Sequence, residues 1–391
     1  MVSRVYRKKK KRSTSRSSKR GGSIIGTGSY GCVYHPNLRT DTNNTEDLRY
    51  VSKVVSRSSF HSEYDKKLIE ILLRIDPHQH YTVYPVGTGI IQDTPNNHRQ
   101  LKTCEYVPST CGVMPSHDCI TRNFREITFK YSGIDLGTYV DRIMNAKLST
   151  EAFNTRVRNL IAGLRNVLVG IQKIQRAGII HRDLSAYNII VRESVVNPIP
   201  LCLIIDFGLC IRMGPNPTPS DIKERFERYS PYRLLNDRRS MDYEYIGHTL
   251  HNATLDPLQV EDTYGDIYQN PLHELSTFER FYQELTDKTT PSLQDVHKAS
   301  VLNMDLYSFG FLFNRICKRL QRAPNASPTT RDMLSRLRTT FIPRIVQVNP
   351  LQRISPTEAI EEYGRTIRRV GASKSRSRQK LKSKRSRLPW Y

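Results

Sequence analysis

Hydrophobic positions near the start of the chain fall in short, β-branched runs. Ile24-Ile25 and Cys32-Val33-Tyr34 read as two strands, with the turn Gly26-Thr27-Gly28-Ser29-Tyr30-Gly31 between them, which predicts a hairpin with glycines at its tip. Tyr50-Val51-Ser52-Lys53-Val54-Val55 is another strand, with one lysine set among valines. Over residues 60–75 the period changes. Leu68, Ile71, Leu72 and Ile75 recur at helical spacings, and Asp76-Pro77 ends the helix. Residues 92–123 are polar and irregular and read as an insertion; Phe124 to Tyr131 is again a strand, and Gly133 marks a connection. From Ser149-Thr150-Glu151 onward the pattern is helical. Leu160, Ile161, Leu164, Val167, Leu168, Ile171 and Ile174 form one apolar stripe, closed by Gly178. Short strands follow at Ile179-Ile180, at 188–191 and at 203–205. Residues 212–300, rich in Pro, Asp and Tyr, read as a second, long insertion. Leu306 to Ile316 is an apolar helix, and weaker helices run to about Arg369. This order predicts an α+β fold of two lobes: a small β-rich lobe over 23–132 and a larger α-helical lobe over 133–364.

Charge separates two further segments. The 391 residues carry a formal charge of +24, yet residues 1–20 hold ten Lys or Arg and residues 365–391 hold eleven, with no acid in either. Two basic, serine-rich tails, 1–22 and 365–391, therefore carry 21 of the 24 charges, and the middle is nearly neutral. Such tails bury too little apolar surface to offset ordering entropy and are expected to be disordered. They suit nucleic acid, an acidic partner or, through Lys8 to Arg12, a nuclear import receptor; a solvated tail without a partner is the plainer reading. The chain shows neither a secretory signal nor eighteen consecutive apolar residues. A soluble intracellular monomer (cytoplasm or nucleus) with no membrane contact and reduced thiols is expected. Cys104, Cys111 and Cys119 lie near His117, but their spacing matches none of the usual zinc knuckles, so they read as thiols of a loop insertion.

Four motifs then follow in order. Gly26-x-Gly28-x-x-Gly31-x-Val33 lies in a hairpin rather than between a strand and a helix, which suits a flap over phosphates and disfavours a dinucleotide site. Lys53 is a mid-strand cation. His181-Arg182-Asp183-Leu184-Ser185-Ala186-Tyr187-Asn188 places an acid and an amide five residues apart. Asp206-Phe207-Gly208 follows an apolar strand.

Together these resemble the eukaryotic-type protein kinase superfamily, serine/threonine kinases in particular, over roughly residues 23–362. Asp305-Leu306-Tyr307-Ser308-Phe309-Gly310 and Asn349-Pro350-Leu351-Gln352-Arg353 resemble two later elements of that family. Within it, residues 28–34 and Ile75-Asp76-Pro77 are similar to kinases of large nucleocytoplasmic DNA viruses such as iridoviruses. The resemblance implies a two-lobed kinase fold, ATP and Mg²⁺ as cofactors, and a protein as substrate. It implies nucleotide binding by Ile25, Gly26, Thr27, Gly28, Ser29, Tyr30, Gly31, Val33 and Lys53. Lys53 would meet the phosphates and a helix acid, with Glu63, Asp65 and Glu70 all open. Asp183 would take the substrate hydroxyl proton, and Asn188 and Asp206 would hold Mg²⁺. Arg182 would meet a phosphate on Thr218, Ser220, Tyr229 or Ser230, or else brace the loop. Ser185 stands where serine/threonine kinases carry a lysine. No Ala-Pro-Glu is present; Tyr229-Ser230-Pro231-Tyr232-Arg233 is the nearest string, which leaves Arg353 without an obvious glutamate partner. The alternative function is a kinase-fold scaffold that binds nucleic acid or acidic partners through its tails.

Overall fold

A computed structural model of the chain describes residues 23–28, 31–112, 116–214, 216–227, 235, 239–285 and 290–368. The tail 1–22, residues 369–391 of the other tail, Ser29, Tyr30 and the string 229–233 lie outside the described residues; residues 365–368, expected in the disordered tail, instead continue the last helix. In chain order the elements begin with β1 (Ser23–Gly28), β2 (Gly31–His35), β3 (Tyr50–Ser56), α1 (Arg57–Glu63) and α2 (Lys66–Ile75). Next come β4 (Gly87–Gly89), α3 (Pro95–Leu101), α4 (Tyr106–Cys111), α5 (His117–Asn123) and β5 (Phe124–Lys130). Then follow β6 (Ile134–Asp135), α6 (Leu136–Asn145), α7 (Thr150–Arg176), β7 (Ile179–Ile180), β8 (Ile189–Arg192), β9 (Leu201–Ile204) and β10 (Ile211–Arg212). The remainder is helical: α8 (Pro219–Glu227), α9 (Met241–Leu250), α10 (Pro257–Tyr264), α11 (Pro271–Gln283), α12 (Leu293–Leu302), α13 (Met304–Gln321), α14 (Pro328–Arg336), α15 (Ile342–Ile345) and a last helix over 356–368. The architecture is α+β. Two units divide the described residues: one takes those up to Arg57 with Gly87–Tyr131, the other Ser58–Val86 with those from Ser132 on. No helix among the described residues is long and apolar enough to cross a membrane.

The first unit is an antiparallel sheet of order β1-β2-β3-β5-β4. Because directly paired residues share a face, the pairs Gly26–Val33, Val33–Lys53 and Lys53–Ile127 put Gly26, Val33, Lys53 and Ile127 in one row across the sheet. Cys32, Tyr34, Val54 and Phe124 point the other way and pack with Leu101, Val107 and Ile120 from α3, α4 and α5. Residues 92–123 thus depart from the expected irregular loop: they form three short helices that cover one face of the sheet and leave Lys53 on the opposite one. Thr94 and Ser116 supply the caps of α3 and α5. The expectation of reduced thiols is corrected here, because Cys32 is bonded to Cys104 and Cys111 to Cys119. Cys32 and Cys104 meet inside the covered face, both at most 2% exposed.

The same face buries a carboxyl group. Glu126 on β5 is fully buried, and burial raises its pKa to about 7 against donors that oppose the shift. Ser52 Oγ donates to Glu126 Oε1 at 2.6 Å and Thr128 Oγ1 at 2.9 Å, while Ser52 Oγ accepts from Leu38 N–H. The folded state therefore binds a proton more tightly than the unfolded chain, whose value is 4.5. Stability from this group is complete below pH 4.5 and is lost as pH rises to about 7. A loss of about 3 kcal/mol is expected across that window. Glu126→Gln should flatten the profile, as read by denaturant unfolding at pH 5 and pH 8. Equal slopes for the two proteins would mean that Glu126 carries no buried proton.

In the second unit, α7 buries the residues of its predicted stripe, and Ser149 Oγ accepts from Ala152 N–H at its start. Gly178 ends it with φ +73°, where a Cβ would overlap Gly214. The predicted helix over 60–75 is divided by Asp65, which accepts from Leu68 N–H and caps α2. The second insertion, read as a long Pro-, Asp- and Tyr-rich stretch, forms five helices among its described residues, α8 to α12. α13 is buried along nearly its whole length, from Met304 to Leu320.

Candidate active site

The loop from His181 to Asn188 joins β7 to β8, and β8 pairs with β9, so the loop and Asp206 lie at one end of the same small ladder. Its backbone is fixed from beneath. Asp305, in the first turn of α13, is 3% exposed; it accepts from His181 N–H at 2.6 Å and from Arg182 N–H at 2.8 Å. Burial raises the Asp305 pKa, and the facing histidine and these two amide donors resist that shift. Asp183 N–H donates to His181 Nδ1 at 3.2 Å, which puts the ring proton on Nε2, and Nε2 donates to Ile205 O at 2.8 Å. The His181 ring meets Phe207 edge-on at 4.9 Å. Histidine thereby ties the loop to the residues on either side of Asp206. Arg182 and Asp206 both hold left-handed backbone, φ 67° and 66°, a conformation that non-glycine residues keep only where surroundings enforce it.

Two predicted site residues meet directly. Asn188 Nδ2 donates to Asp183 O at 2.7 Å and to Asp183 Oδ2 at 2.8 Å. The carboxylate is oriented by the amide, whose own oxygen remains as an acceptor. Asn188 O accepts from Ile205 N–H at 3.0 Å, which couples it to the residue before Asp206. Ser185 Oγ is buried and makes no hydrogen bond.

The first unit carries the other predicted residues. Gly26, Val33 and Lys53 share the face of the sheet opposite α3, α4 and α5, and Ile25 is 47% exposed. The glycines divide by cause. A Cβ on Gly31 would overlap the Val54 carbonyl, so β3 alone demands glycine there. A Cβ on Gly26 would touch only the Val33 side chain, at 3.7 Å, so packing makes no such demand. Gly28 pairs with Gly31, and Thr27 is exposed. Of the acids considered for Lys53, Asp65 caps α2 and pairs with Arg212 at 3.0 Å, and Glu70 is exposed on α2. The Glu63 side chain lies outside the described residues.

Sequence reasoning missed one partner. Arg353 has an aspartate as its partner where a glutamate was sought: its guanidinium bonds Asp242, both side chains are fully buried, and it stacks over the Tyr307 ring at 4.9 Å. Arg353 Nε also donates to Gln347 O at 2.6 Å. The acid comes from Ser240-Met241-Asp242, at the start of α9, rather than from the 229–233 string. The pair fastens α9 to the segment after α15 and, through the stacked Tyr307, to α13, two residues from Asp305. Of the residues considered as phosphate acceptors, Thr218 Oγ1 donates to Asp221 Oδ2 at 2.7 Å at the head of α8, and Ser220 lies in its first turn.

Residues 146–229, from the approach to α7 through the loop and Asp206, match the family model described as fungal protein kinase. No curated protein matches the chain.

Proposed function

We propose that the chain is an ATP-dependent protein kinase with serine or threonine as acceptor. The observation that carries the reading is the hydrogen bond that holds the Asp183 carboxylate to Asn188, within a loop suspended from buried Asp305. Phosphoryl transfer asks a protein mainly for positioning and for charge neutralisation. Asp183 Oδ1 accepts the substrate hydroxyl proton while Oδ2 stays on Asn188, which aims the oxygen of the substrate for attack. Lys53 is assigned to the phosphates as a point charge. Gly26 lets the backbone of β1 approach them, since no packing within the unit explains a glycine there. Asn188 Oδ1 and the Asp206 carboxylate form an oxygen-only donor set that fits Mg²⁺, because both amide hydrogens of Asn188 are directed to Asp183. Bound there, Mg²⁺ would neutralise charge on the nucleotide phosphates. The two basic tails would add binding to polyanions such as nucleic acid, with a steep loss as salt rises. The viral likeness rests on residues 28–34 and 75–77 alone.

The test is direct. Purified full-length protein, labelled ATP and Mg²⁺ are combined with basic and acidic protein substrates, and labelled products are hydrolysed to amino acids. Phosphoserine or phosphothreonine is expected. Label on tyrosine alone would overturn the acceptor class, and no transfer under any of these conditions would overturn the activity.

A further inference from the structure

A cavity of about 280 Å³ opens beside the loop that carries Asp183. Leu184 to Tyr187 form one wall, α6 contributes Gly137 and Val140, and α13 contributes Phe311, Ile316, Arg315 and Arg319. We propose that this cavity seats an apolar side chain of the protein substrate, within about four residues of the acceptor hydroxyl, and rejects a basic one there; the proposal rests on the phosphotransfer reading above.

Four observations support it. The volume falls just below the roughly 300–1,000 Å³ of sites for whole small molecules, and suits a single large side chain. The distance fits, since Ser185 and Tyr187 follow Asp183 by two and four residues. At no more than about 3.6 Å per residue the cavity lies within roughly 14 Å of the carboxylate, a span that an extended substrate covers in four residues. The floor is aliphatic and aromatic, with Val140, Leu184, Phe311 and Ile316, and Tyr187 stands 70% exposed at the rim. At this rim Gly137 N–H donates to Ala186 O at 3.2 Å, and a Cβ on Gly137 would meet the Tyr187 ring at 3.6 Å, in ordinary contact. Ser185, in the same wall, brings no charge that would favour a basic side chain.

Charge excludes lysine and arginine. Arg315 and Lys318 both pair with Asp266, at 3.2 and 2.9 Å, and Arg319 pairs with Asp141 at 2.6 Å. Three cations thus share two acids at this rim. Asp135, two residues before Gly137, is engaged as the cap of α6, accepting from Thr138 N–H at 2.8 Å. A basic substrate residue would meet the like charge of Arg315 and Arg319. The serines of the chain's own tails, flanked by Lys and Arg, are accordingly poor acceptors.

Peptides with one serine or threonine, in which each position from four before to four after is Leu, Ala or Arg in turn, test this with the full chain, ATP and Mg²⁺. At one position kcat/KM for Leu should exceed that for Arg by about tenfold or more. Tyr187→Ala should reduce the preference for Leu over Ala at that position, and Arg319→Glu should bring the Leu-to-Arg ratio to one or below. Each ratio is taken within one variant, so a general loss of activity cancels. Peptides phosphorylated equally well whatever the neighbour, or a preference that neither variant moves, would overturn the proposal while leaving the kinase reading standing. No transfer to any peptide by the wild-type chain would overturn both.

Discussion

Asp183→Asn is expected to lower phosphotransfer by roughly 10²- to 10⁴-fold while nucleotide affinity changes only a few-fold. Asparagine preserves the shape of the side chain, and its Oδ1 can still accept from Asn188 Nδ2, so the hydrogen bond at 2.8 Å that orients residue 183 survives. The bonds from His181 and Arg182 to Asp305 lie on the backbone side of the loop and are untouched. What is lost is the second oxygen, with its charge, that would take the proton of the incoming hydroxyl. Loss of positioned proton transfer therefore appears in kcat and not in binding. Single-turnover transfer, alongside an equilibrium measurement of nucleotide binding, separates the two. Transfer within threefold of wild type would show that Asp183 is not the base. A parallel collapse of nucleotide binding would show that the change had disturbed the loop instead.

Why the loop was legible and other parts were not comes down to sequence distance. His181 to Asn188 is one contiguous string, and its internal bonds, Asp183 to His181 and Asn188 to Asp183, span two and five residues. The long stripe of α7 was readable for the same reason, since 27 residues repeat one period. Helices α3, α4 and α5 have six or seven residues each, fewer than two turns. So short a run cannot display a 3.6-residue period against a polar background, and their order comes from tertiary packing under the sheet. The bond between Cys32 and Cys104 spans 72 residues, and no local pattern announces it. Asp65 shows a subtler failure: the apolar spacing continues past it, but its side chain closes on Leu68 N–H and starts a new helix. Asp242 was invisible because its partner lies 111 residues away. The only local trace was an acid soon after a serine at the head of a helix.

That pair yields the largest stability effect. Arg353→Met should destabilise the second unit by about 3–5 kcal/mol, because it leaves the Asp242 carboxylate buried without its counter-charge. Asp242→Leu should cost a similar amount by stranding the guanidinium, which would keep only its bonds to carbonyl oxygens and its stacking on Tyr307. The double variant should recover most of the loss. Even in the native arrangement, Asp242 Oδ2 and Arg353 Nη1 make no hydrogen bond, so the pair does not fully offset the cost of removing both charges from water. Two apolar side chains carry no such cost. Denaturant midpoints for the four proteins give the coupling energy, which should be large and favourable. Additive losses would show that the two charges are not coupled. Activity adds a readout that stability lacks. α13 carries both Tyr307, under the guanidinium, and Asp305, which suspends the loop of Asp183. A double variant with recovered stability and wild-type transfer would make the pair a fastening of α9 only. Recovered stability with reduced kcat would mean that the charge pair also holds α13 in the register that the loop needs.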